Sequence, residues 1–459
     1  MKIKAILAIL LCKALRLVSR ILRRGGTAMP GRWALKICPE LLGFLAKDVR
    51  SVAITGTNGK TSSARMIEEA YRRAGRDCLA NRSGANLLSG ITTEFAMNCT
   101  LSGKMKKHYA VIECDEAASG AVFRQLKPEV IIVTNVFRDQ LDRYGEVTHT
   151  VENIRKGILG APDAVVCLNA DCSLTASLAE GIPNRVVWYG IEPGAVPEQE
   201  SSALSDAAFC IKCKTRYEYD YITYGHLGGF RCPKCGYSRH QTDCAVESLI
   251  ESDLLGSTAV IRGIDGAERK VRVNLPAVYN LYNAAGVYAA CAEAGIPAET
   301  AAEALGAFKC GFGRYEHFEL GKAGTTMMLV KNPAGCSRVL EFLEGTEGPF
   351  SIAVCLNDRD ADGTDISWIW DADFERLENM KDRIVSAAVG GIRARDMAMR
   401  LKYAGADPQR TQVIQDYEKL TDWCAGQECP VYILPTYTAM LDLRHAIVKR
   451  CGGAEFWEG

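Results

Sequence analysis

The chain has 459 residues, 48% of them hydrophobic, a length that allows two or three domains with separate cores. Lysine plus arginine equals aspartate plus glutamate at 55 each, so the overall charge gives no reason to expect a nucleic acid as partner. The 19 cysteines are scattered along a chain without a convincing export signal, which excludes a small disulfide-stabilised secreted domain and indicates a reducing cytoplasm.

Residues 1–45 begin with a short apolar run, Ala5 to Cys12, bounded by basic residues that recur at helical spacing. The run is too short to span a bilayer, and no small-residue cleavage site follows it cleanly. We therefore predict an amphipathic basic helix rather than a signal peptide. Such a helix either packs on another domain or lies on a membrane surface.

Residues 46–315 show the alternation of strands and helices that is typical of a parallel sheet with flanking helices. Short apolar strands are predicted at 51–55, 109–114, 130–136 and 164–170. A helix with small residues is predicted at 281–295, and residues 316–459 repeat strand and helix signals as a separate C-terminal α/β domain.

A glycine-rich turn, TGTNGKTS (55–62), lies between the first strand and the first helix of the central domain. Its glycines let backbone amides face a phosphate, Lys60 suits the outer phosphates, and the hydroxyl of Thr61 suits magnesium. The spacing is shorter than the general P-loop pattern, but the position between strand and helix is the required one. We predict a nucleotide site formed by Gly56, Thr57, Asn58, Gly59, Lys60, Thr61 and Ser62.

Three carboxylates follow the strand at 109–114: Glu113, Asp115 and Glu116. The end of a strand can present a carboxylate to a magnesium ion that bridges phosphates, and Glu113 is the predicted ligand. The other two are expected to be solvated or to face the substrate.

Two Cys-x-x-Cys pairs, Cys210 with Cys213 and Cys232 with Cys235, are separated by 18 residues. This spacing is typical of two zinc knuckles that supply four thiolates to one tetrahedral zinc ion. Four protein ligands leave no open coordination position, so a structural zinc ribbon is predicted as an insert at about 205–245.

Several segments together resemble the central domain of the Mur ligase family, and they occur in the order found there. They are TGTNGKTS, NVFRDQLDRYGE (135–146), LNAD (168–171), YNLYNAAG (279–286) and GFGRYE (311–316). The resemblance implies a Mur ligase-type central ATP-binding domain with a parallel sheet, joined to a C-terminal α/β domain.

The rest of the chain is similar to one branch of that family, which amidates the cell-wall precursor lipid II. The zinc ribbon supports this likeness, as do KNPAG (331–335), LNDRDADGTDISWIWDADFE (356–375), GGIRARDMAMRLKYAG (390–405) and PTYTAM (435–440). The resemblance implies that ATP phosphorylates the α-carboxyl of D-glutamate in lipid II and that ammonia then displaces phosphate. A class I glutamine amidotransferase partner would supply the ammonia, and the chain itself contains no GxCxG nucleophile motif of that class.

Carried over to this chain, the resemblance assigns residues 57–61 to the phosphates and Thr61 with Glu113 to magnesium. It assigns Asn280 and Asn283 to the adenine region and Arg314 to the charged part of the nucleotide. Further assignments are the catalytic aspartate at Asp365 and a cytoplasmic location at the inner face of the membrane, where lipid II lies.

Asp365 has two possible functions and one purely structural alternative. Its carboxylate could orient a histidine of the partner or hold the incoming ammonia. Alternatively, DGTD is good capping chemistry, and the residue then only stabilises a turn.

Two positions depart from the Mur ligases that add amino acids. Gln140 and Tyr279 stand where those enzymes commonly have histidine, so a magnesium site built on that histidine is not expected. No lysine is assigned as carbamylated, because Lys156 lies out of register. KNPAG replaces a DxxHNP-like motif, which indicates a changed acceptor.

Two rival functions stay open at this point. One is a ligase that adds an amino acid, as muramyl and folylpolyglutamate ligases do. The other is a zinc-ribbon nucleic-acid module with a regulatory ATP site, suggested by basic residues near the cysteines. They are Lys212, Lys214, Arg216, Arg231, Lys234 and Arg239.

Overall fold

A computed structural model describes residues 2–21, 28–81, 85–137, 147–198, 207–253, 256–275, 278–308 and 315–452. These residues divide into two compact units, one reaching Phe308 and the other beginning within the described chain at Tyr315. Each unit contains its own sheet, flanked by helices.

The first unit contains most of the elements that the alternating pattern predicted. Its helices are α1 (Lys2–Ile21), α2 (Ala28–Ile37), α3 (Leu41–Ala46), α4 (Lys60–Arg73), α5 (Leu88–Met97), α6 (Ser119–Leu126), α7 (Val147–Leu159), α8 (Ser173–Ala176), α9 (Tyr279–Glu293) and α10 (Ala298–Ala307). Its strands are β1 (Arg50–Thr55), β2 (Cys78–Ala80), β3 (Tyr109–Glu113), β4 (Val130–Val133), β5 (Val165–Asn169), β6 (Val186–Ile191), β7 (Glu218–Tyr224), β8 (Leu227–Arg231), β9 (Cys244–Asp253), β10 (Gly256–Arg262) and β11 (Glu268–Val273).

The main sheet of this unit has the order β11-β10-β9-β6-β5-β4-β1-β3-β2 among the described strands. Neighbours from β2 to β9 are parallel, whereas β10 pairs antiparallel with both β9 and β11. Strand β4 is a continuous apolar run, and β1 is buried after its first residue, as expected for strands with helices on both faces of the sheet. The α/β fold is confirmed, but the sheet is mixed rather than purely parallel.

Helix α4 shows how the sequence pattern positions the glycine-rich turn. Met66, Ile67, Ala70 and Tyr71 recur at helical spacing and are buried. Helix α4 packs against α9, α10 and the strands β1, β2 and β3, which fixes its N-terminus at the end of β1.

The predicted N-terminal helix is α1, and it belongs to the first unit. One of its faces is buried through Ala5, Ala8, Ile9 and Cys12. The ammonium of Lys13 donates to the carbonyl of Cys99 at 2.7 Å. In the described residues, no helix is both long enough and apolar enough to cross a membrane.

The second unit is built on a smaller sheet with the order β12-β13-β17-β14-β15-β16 among the described strands. Its strands are β12 (Tyr315–Phe318), β13 (Thr325–Met328), β14 (Phe350–Cys355), β15 (Ile384–Gly390), β16 (Thr411–Val413) and β17 (Val431–Pro435). Its helices are α11 (Pro333–Glu344), α12 (Arg376–Asn379), α13 (Ala394–Tyr403), α14 (Tyr417–Ala425) and α15 (Tyr437–Cys451). All its strand pairs are parallel except β12 with β13.

Strand β14 separates two apolar cores within this unit. Ile352 and Val354 face one core, and Ala353 and Cys355 face the other. Alternate side chains of a strand point to opposite faces, so one strand contributes to both cores. Helices therefore cover both faces of the second sheet, as in the first unit.

Candidate active site

The glycine-rich turn follows β1 directly and has the backbone that its glycines predict. Gly56 and Gly59 have φ angles of 117° and 87°, a region that side chains disfavour. A Cβ at Gly56 would lie 2.4 Å from the hydroxyl of Thr134, and one at Gly59 would lie 2.2 Å from the side-chain oxygen of Asn283. Both positions therefore require glycine.

The residues after β4 hold this turn in place. The carbonyl of Asn135 accepts from the amide of Thr57 at 2.9 Å, and its side-chain oxygen accepts from the amide of Asn58 at 3.0 Å. The amide of Phe137 donates to the hydroxyl of Thr57 at 3.1 Å. Asn135 and Phe137 begin the NVFRDQLDRYGE segment, whose residues 138–146, Gln140 among them, lie outside the described residues.

Lys60 begins α4 and is almost completely buried, with 8% of its surface exposed. Its ammonium lies 2.8 Å from a carboxylate oxygen of Glu116 and donates to the carbonyl of Gly56 at 2.5 Å. Burial acts to lower the pKa of Lys60, but Glu116, Glu113 and Asp115 outweigh it and raise the pKa. The lysine is therefore a fixed cation at the centre of the turn.

The expectation that Glu116 and Asp115 are solvated or face the substrate does not match their burial. Both are buried, and Glu116 forms the ion pair with Lys60. Asp115 accepts from the amide of Ala117 and thereby caps the 3₁₀ turn Glu116–Ala118, which carries Glu116 toward the loop. Spacing along the sequence does not reveal this turn.

The two residues predicted to bind magnesium are in contact with each other. The hydroxyl of Thr61 donates to a carboxylate oxygen of Glu113 at 2.7 Å. Strands β3 and β1 are paired so that Glu113 lies beside Ile54. Glu113 is therefore close to the start of the glycine-rich turn, which follows β1. A hydroxyl and a carboxylate side by side are oxygen ligands of the kind that magnesium prefers.

Asn280 and Asn283 lie on the first turn of α9 and are buried. The side-chain amide of Asn283 donates to the side-chain oxygen of Asn280 at 3.1 Å. Asn283 also lies directly against Gly59, so this pair borders the phosphate loop. The third residue assigned to the nucleotide, Arg314, lies outside the described residues.

The four predicted zinc ligands form one cluster. Their sulfur atoms all lie within 4.8 Å of one another, with Cys210 to Cys235 at 3.6 Å and Cys213 to Cys232 at 3.4 Å. A tetrahedral zinc with bonds of about 2.3 Å requires sulfur atoms roughly 3.8 Å apart. The hydroxyl of Thr215 lies 3.4 Å from the sulfur of Cys213 and helps lower the pKa of that thiol to about 6. The cluster therefore has the geometry and chemistry to bind zinc.

The two knuckles have the same backbone turn. Lys214 and Gly236 each follow the second cysteine of a pair, and both have positive φ angles, 60° and 73°. In each knuckle the amide of that residue donates to the carbonyl of the first cysteine, at 2.9 and 3.0 Å. Lys214 adopts a conformation that usually needs glycine, which indicates that the turn is imposed by the site it forms.

The hairpin between the knuckles, β7 and β8, reaches the phosphate loop. The ring of Phe137 lies 4.4 Å from that of His226 and 5.3 Å from that of Tyr224, at the tip of the hairpin. The ring of Tyr224 also lies 5.8 Å from that of Tyr279, the first residue of α9. One end of the insert therefore carries the cysteines, and the other contacts Phe137, which bonds to the glycine-rich turn, and Tyr279.

Asp171, the last residue of LNAD, joins the insert to the sheet and to α9. It is fully buried and accepts from the guanidinium of Arg239, the hydroxyl of Tyr282 and the amide of Ile191, at 2.6, 2.6 and 3.0 Å. Burial raises the pKa of Asp171, and Arg239 opposes that rise. The motif was recognised from the sequence, but this buried contact was not predicted.

Several basic residues near the cysteines are neutralised within the fold. Lys212 pairs with Glu180 at 2.5 Å, Arg231 with Glu218 at 2.7 Å, and Arg239 with Asp171. These ion pairs weaken the positive potential on which the nucleic-acid alternative depends.

Asp365 lies in the second unit, between β14 and the 3₁₀ turn Ser367–Trp370, and is half-buried. One of its carboxylate oxygens accepts from the amide of Ser367, two residues further along the chain, at 2.8 Å, a contact that stabilises a turn rather than capping the 3₁₀ turn. The same segment is anchored by Asp362, which is buried and accepts from the amide of Thr438 at 2.7 Å. Asp362 was missed from the sequence.

Three of the C-terminal motifs meet at one edge of the second sheet. Asn357, which follows β14, accepts from the amide of Ile392, and its side-chain amide donates to Thr438, both at 2.9 Å. Its own amide donates to the hydroxyl of Thr436 at 3.0 Å. The carboxyl edge of an open parallel sheet is where α/β folds commonly bind ligands, and here it carries Asp365.

Known families match both units. A profile described as the Mur ligase middle domain matches residues 54–220, and one described as the MurT ligase C-terminal domain matches residues 329–440. The chain is similar to a protein named lipid II isoglutaminyl synthase (glutamine-hydrolyzing) subunit MurT from Streptococcus pneumoniae, with 34% identity over 98% of both chains. A protein of the same name from Staphylococcus aureus is 31% identical over 98% of this chain and 99% of its own.

Solved structures share the fold at lower identity. MurF from Acinetobacter baumannii has a TM-score of 0.65 at 14% identity, covering 90% of this chain and 80% of its own. A pseudomurein peptide ligase type C from Methanothermus fervidus has a TM-score of 0.64 at 20% identity, covering 87% and 79%. At this identity they establish the fold alone.

Proposed function

Because the chain belongs to the MurT family of Mur ligase-type enzymes, we propose that it uses ATP to amidate the α-carboxyl of D-glutamate in the lipid II stem peptide. The observation that carries this proposal is the phosphate loop: a buried Lys60 at its centre, with the Thr61 hydroxyl on the Glu113 carboxylate beside it. Relatives bearing the name lipid II isoglutaminyl synthase support the choice of substrate.

The proposed reaction has two steps. A carboxylate oxygen of the substrate attacks the γ-phosphorus of ATP, the bond to the bridging oxygen breaks, and ADP leaves with that electron pair. Ammonia then attacks the carbonyl carbon of the acyl phosphate, loses a proton, and expels inorganic phosphate to leave the amide. Positioning and charge neutralisation supply most of the catalysis in such phosphoryl transfers.

The residues of the loop would have distinct roles in the first step. Backbone amides of residues 56–62 would bind the phosphates, and Lys60 would balance the charge that develops on them. Thr61 and Glu113 would hold magnesium, which would supply positive charge to offset that of the phosphates. Asn280 and Asn283 would contact the nucleotide from α9, and Arg314 would contact its charged part.

Zinc would have a structural role. Cys210, Cys213, Cys232 and Cys235 would supply all four ligands, leaving no position for substrate. Zinc binding would then hold the base of the hairpin whose tip contacts Phe137.

Ammonia would come from a partner of the class I glutamine amidotransferase type. The word subunit in the names of the relatives supports a partner, and the absence of a GxCxG motif from the chain supports an external ammonia source. Asp365 would act in the second step, either by orienting a histidine of the partner or by holding ammonia. Its half-buried position at a sheet edge is compatible with both.

The three predicted segments of the chain would have different functions. Residues 46–315 would bind ATP, residues 316–459 would carry Asp365, and residues 1–45 would contact the inner face of the membrane, where lipid II lies. The protein would act in the cytoplasm at that surface, without a nucleic-acid partner.

The test combines the purified chain, a class I glutaminase, ATP and lipid II in detergent, with glutamine labelled with ¹⁵N in its side-chain amide. We expect ¹⁵N in the lipid II amide and one ADP formed for each amide. Incorporation of an amino acid instead would favour the amino-acid-adding alternative. Folded wild-type protein that forms no ATP-dependent amide would refute the proposal.

A further inference from the structure

Helix α1 is apolar on two opposite faces. The inner face packs on the first unit, whereas the outer face exposes Ile3, Leu7, Leu10, Leu17 and Val18, each between 43% and 76% exposed. At 3.6 residues per turn, these five side chains fall within about 100° of the helix circumference. We call them the outer stripe.

Helix α2 adds exposed apolar side chains beside α1, on which it packs. Met29 and Trp33, one helical turn apart, are 42% and 49% exposed. The ammonium of Lys36 lies 4.1 Å from the centre of the Trp33 ring. A tryptophan next to a lysine is a common combination at the boundary between lipid and water.

The charge of this region differs from that of the whole chain. The chain has equal numbers of acidic and basic residues, but its first acidic residue is Glu40. The preceding 39 residues include the basic residues Lys2, Lys4, Lys13, Arg16, Arg20, Arg23, Arg24, Arg32 and Lys36. The outer stripe therefore lies in a segment of purely positive charge, and the remainder of the chain carries the compensating negative charge.

We propose that the outer stripe of α1 binds the surface of an anionic lipid bilayer, with the helix lying in the plane of the headgroups. An apolar stripe in a basic segment is complementary to acyl chains below anionic headgroups. The buried inner face and the bond from Lys13 to Cys99 fix α1 to the first unit, so the helix would bring the ATP site to the membrane. The biological purpose of this membrane binding rests on the proposed function. Lipid binding itself is measured without substrate or nucleotide.

Flotation of the full chain with vesicles tests the proposal. We expect binding to vesicles of equal parts phosphatidylglycerol and phosphatidylcholine, and much weaker binding to pure phosphatidylcholine. Raising the salt from about 0.05 M to about 0.5 M should weaken binding to the anionic vesicles, because it shortens the Debye length several-fold. Vesicles that contain neither lipid II nor any other cell-wall precursor exclude a contribution from the substrate.

The variant Leu7→Glu/Leu10→Glu/Leu17→Glu should lower binding to anionic vesicles by more than about tenfold, since it removes apolar contact and adds negative charge. A matched control, Met399→Glu/Tyr403→Glu/Val413→Glu, changes equally exposed apolar residues of the second unit and should bind as the wild type does. The basic variant Lys2→Gln/Lys4→Gln/Arg16→Gln should lose much of the salt dependence.

Some results would overturn the proposal. One is no binding of wild-type protein to anionic vesicles. The other is binding equal to wild type by the outer-stripe variant, when circular dichroism shows that this variant is folded. Sedimentation that shows wild-type dimers but monomers of the outer-stripe variant, without vesicle binding, would assign the stripe to a second copy of the chain. Amidation of lipid II in detergent is assayed separately, so failure of the ligase proposal and failure of membrane binding are distinguishable.

Discussion

The phosphate loop and the four-cysteine knuckles lie at the two ends of one hairpin and are stabilised in different ways. The loop is held by the chain's own groups: backbone bonds to Asn135, a hydroxyl contact with Phe137 and the buried pair of Lys60 with Glu116. The knuckles enclose four sulfur atoms on a small core that includes Tyr217, Phe230 and Tyr237. The polypeptide's own groups therefore hold the loop, whereas the knuckles would need a metal ion to hold four thiolates together.

The largest effect is expected at the loop. Lys60→Ala should reduce the rate of ATP-dependent amide formation by about a thousandfold or more, because it removes the cation proposed to balance the charge of the transferred phosphate. The control Arg72→Ala changes an exposed residue of the same helix and should retain the wild-type rate. A folded Lys60→Ala protein with full activity would show that the loop is not catalytic.

A smaller effect is expected when the partner of this lysine is neutralised. Glu116→Gln leaves a buried ammonium without its carboxylate, which should lower the free energy of unfolding by about 3 kcal/mol. Amide formation should fall less than in Lys60→Ala, because the cation remains. Urea unfolding followed by circular dichroism measures the first effect, with Arg72→Ala again as control. Unchanged stability would contradict the importance of the buried pair.

Loss of metal from the knuckles, at the other end of the hairpin, should weaken nucleotide binding without abolishing it. We expect about one zinc per chain by elemental analysis, and clearly less in Cys213→Ser/Cys232→Ser. Nucleotide affinity of that variant should fall roughly three- to tenfold, since the base of the hairpin is no longer held. The control Cys451→Ser, at an exposed cysteine, should keep both zinc and affinity. Freshly purified wild-type protein without zinc would contradict the structural role.

The smallest effect is expected at the hairpin tip. His226→Ala removes the ring that lies against Phe137 and should weaken nucleotide binding by about threefold, while zinc content stays at one per chain. Phe209→Ala, at an exposed ring of the same insert, should change neither quantity. Calorimetry with ATP and magnesium compares the two variants. Equal affinities would mean that the tip does not support the loop.

The same two regions show what the sequence could predict. Both are local motifs, a turn after a strand and two cysteine pairs, and local spacing is sufficient to identify them. The pairing of Thr61 with Glu113 came from the resemblance to Mur ligases, and the structure accounts for their contact because β1 and β3 are neighbours in register. The fold class was predictable because apolar strands and helical runs alternate.

Contacts between distant segments were not predictable in this way. Glu116 reaches Lys60 only because a capped 3₁₀ turn bends the chain after β3, and Asp171 gathers three groups that lie far apart in sequence. The antiparallel strands β10 and β11 were missed because neither is a continuous apolar run: β10 reads GSTAVIR and β11 reads ERKVRV. The anchoring of the Asp365 segment by Asp362 likewise depends on how β14 and β17 pair.

The central claim is that the phosphate loop hands the terminal phosphoryl group of ATP to a carboxylate. Lipid II labelled with ¹⁸O in both oxygens of the D-glutamate α-carboxyl tests it most directly, with mass analysis of the phosphate released during amidation. We expect one ¹⁸O atom in each phosphate, because the oxygen that attacks phosphorus leaves with it. Amide formation with unlabelled phosphate would contradict an acyl phosphate and with it the assigned role of the loop.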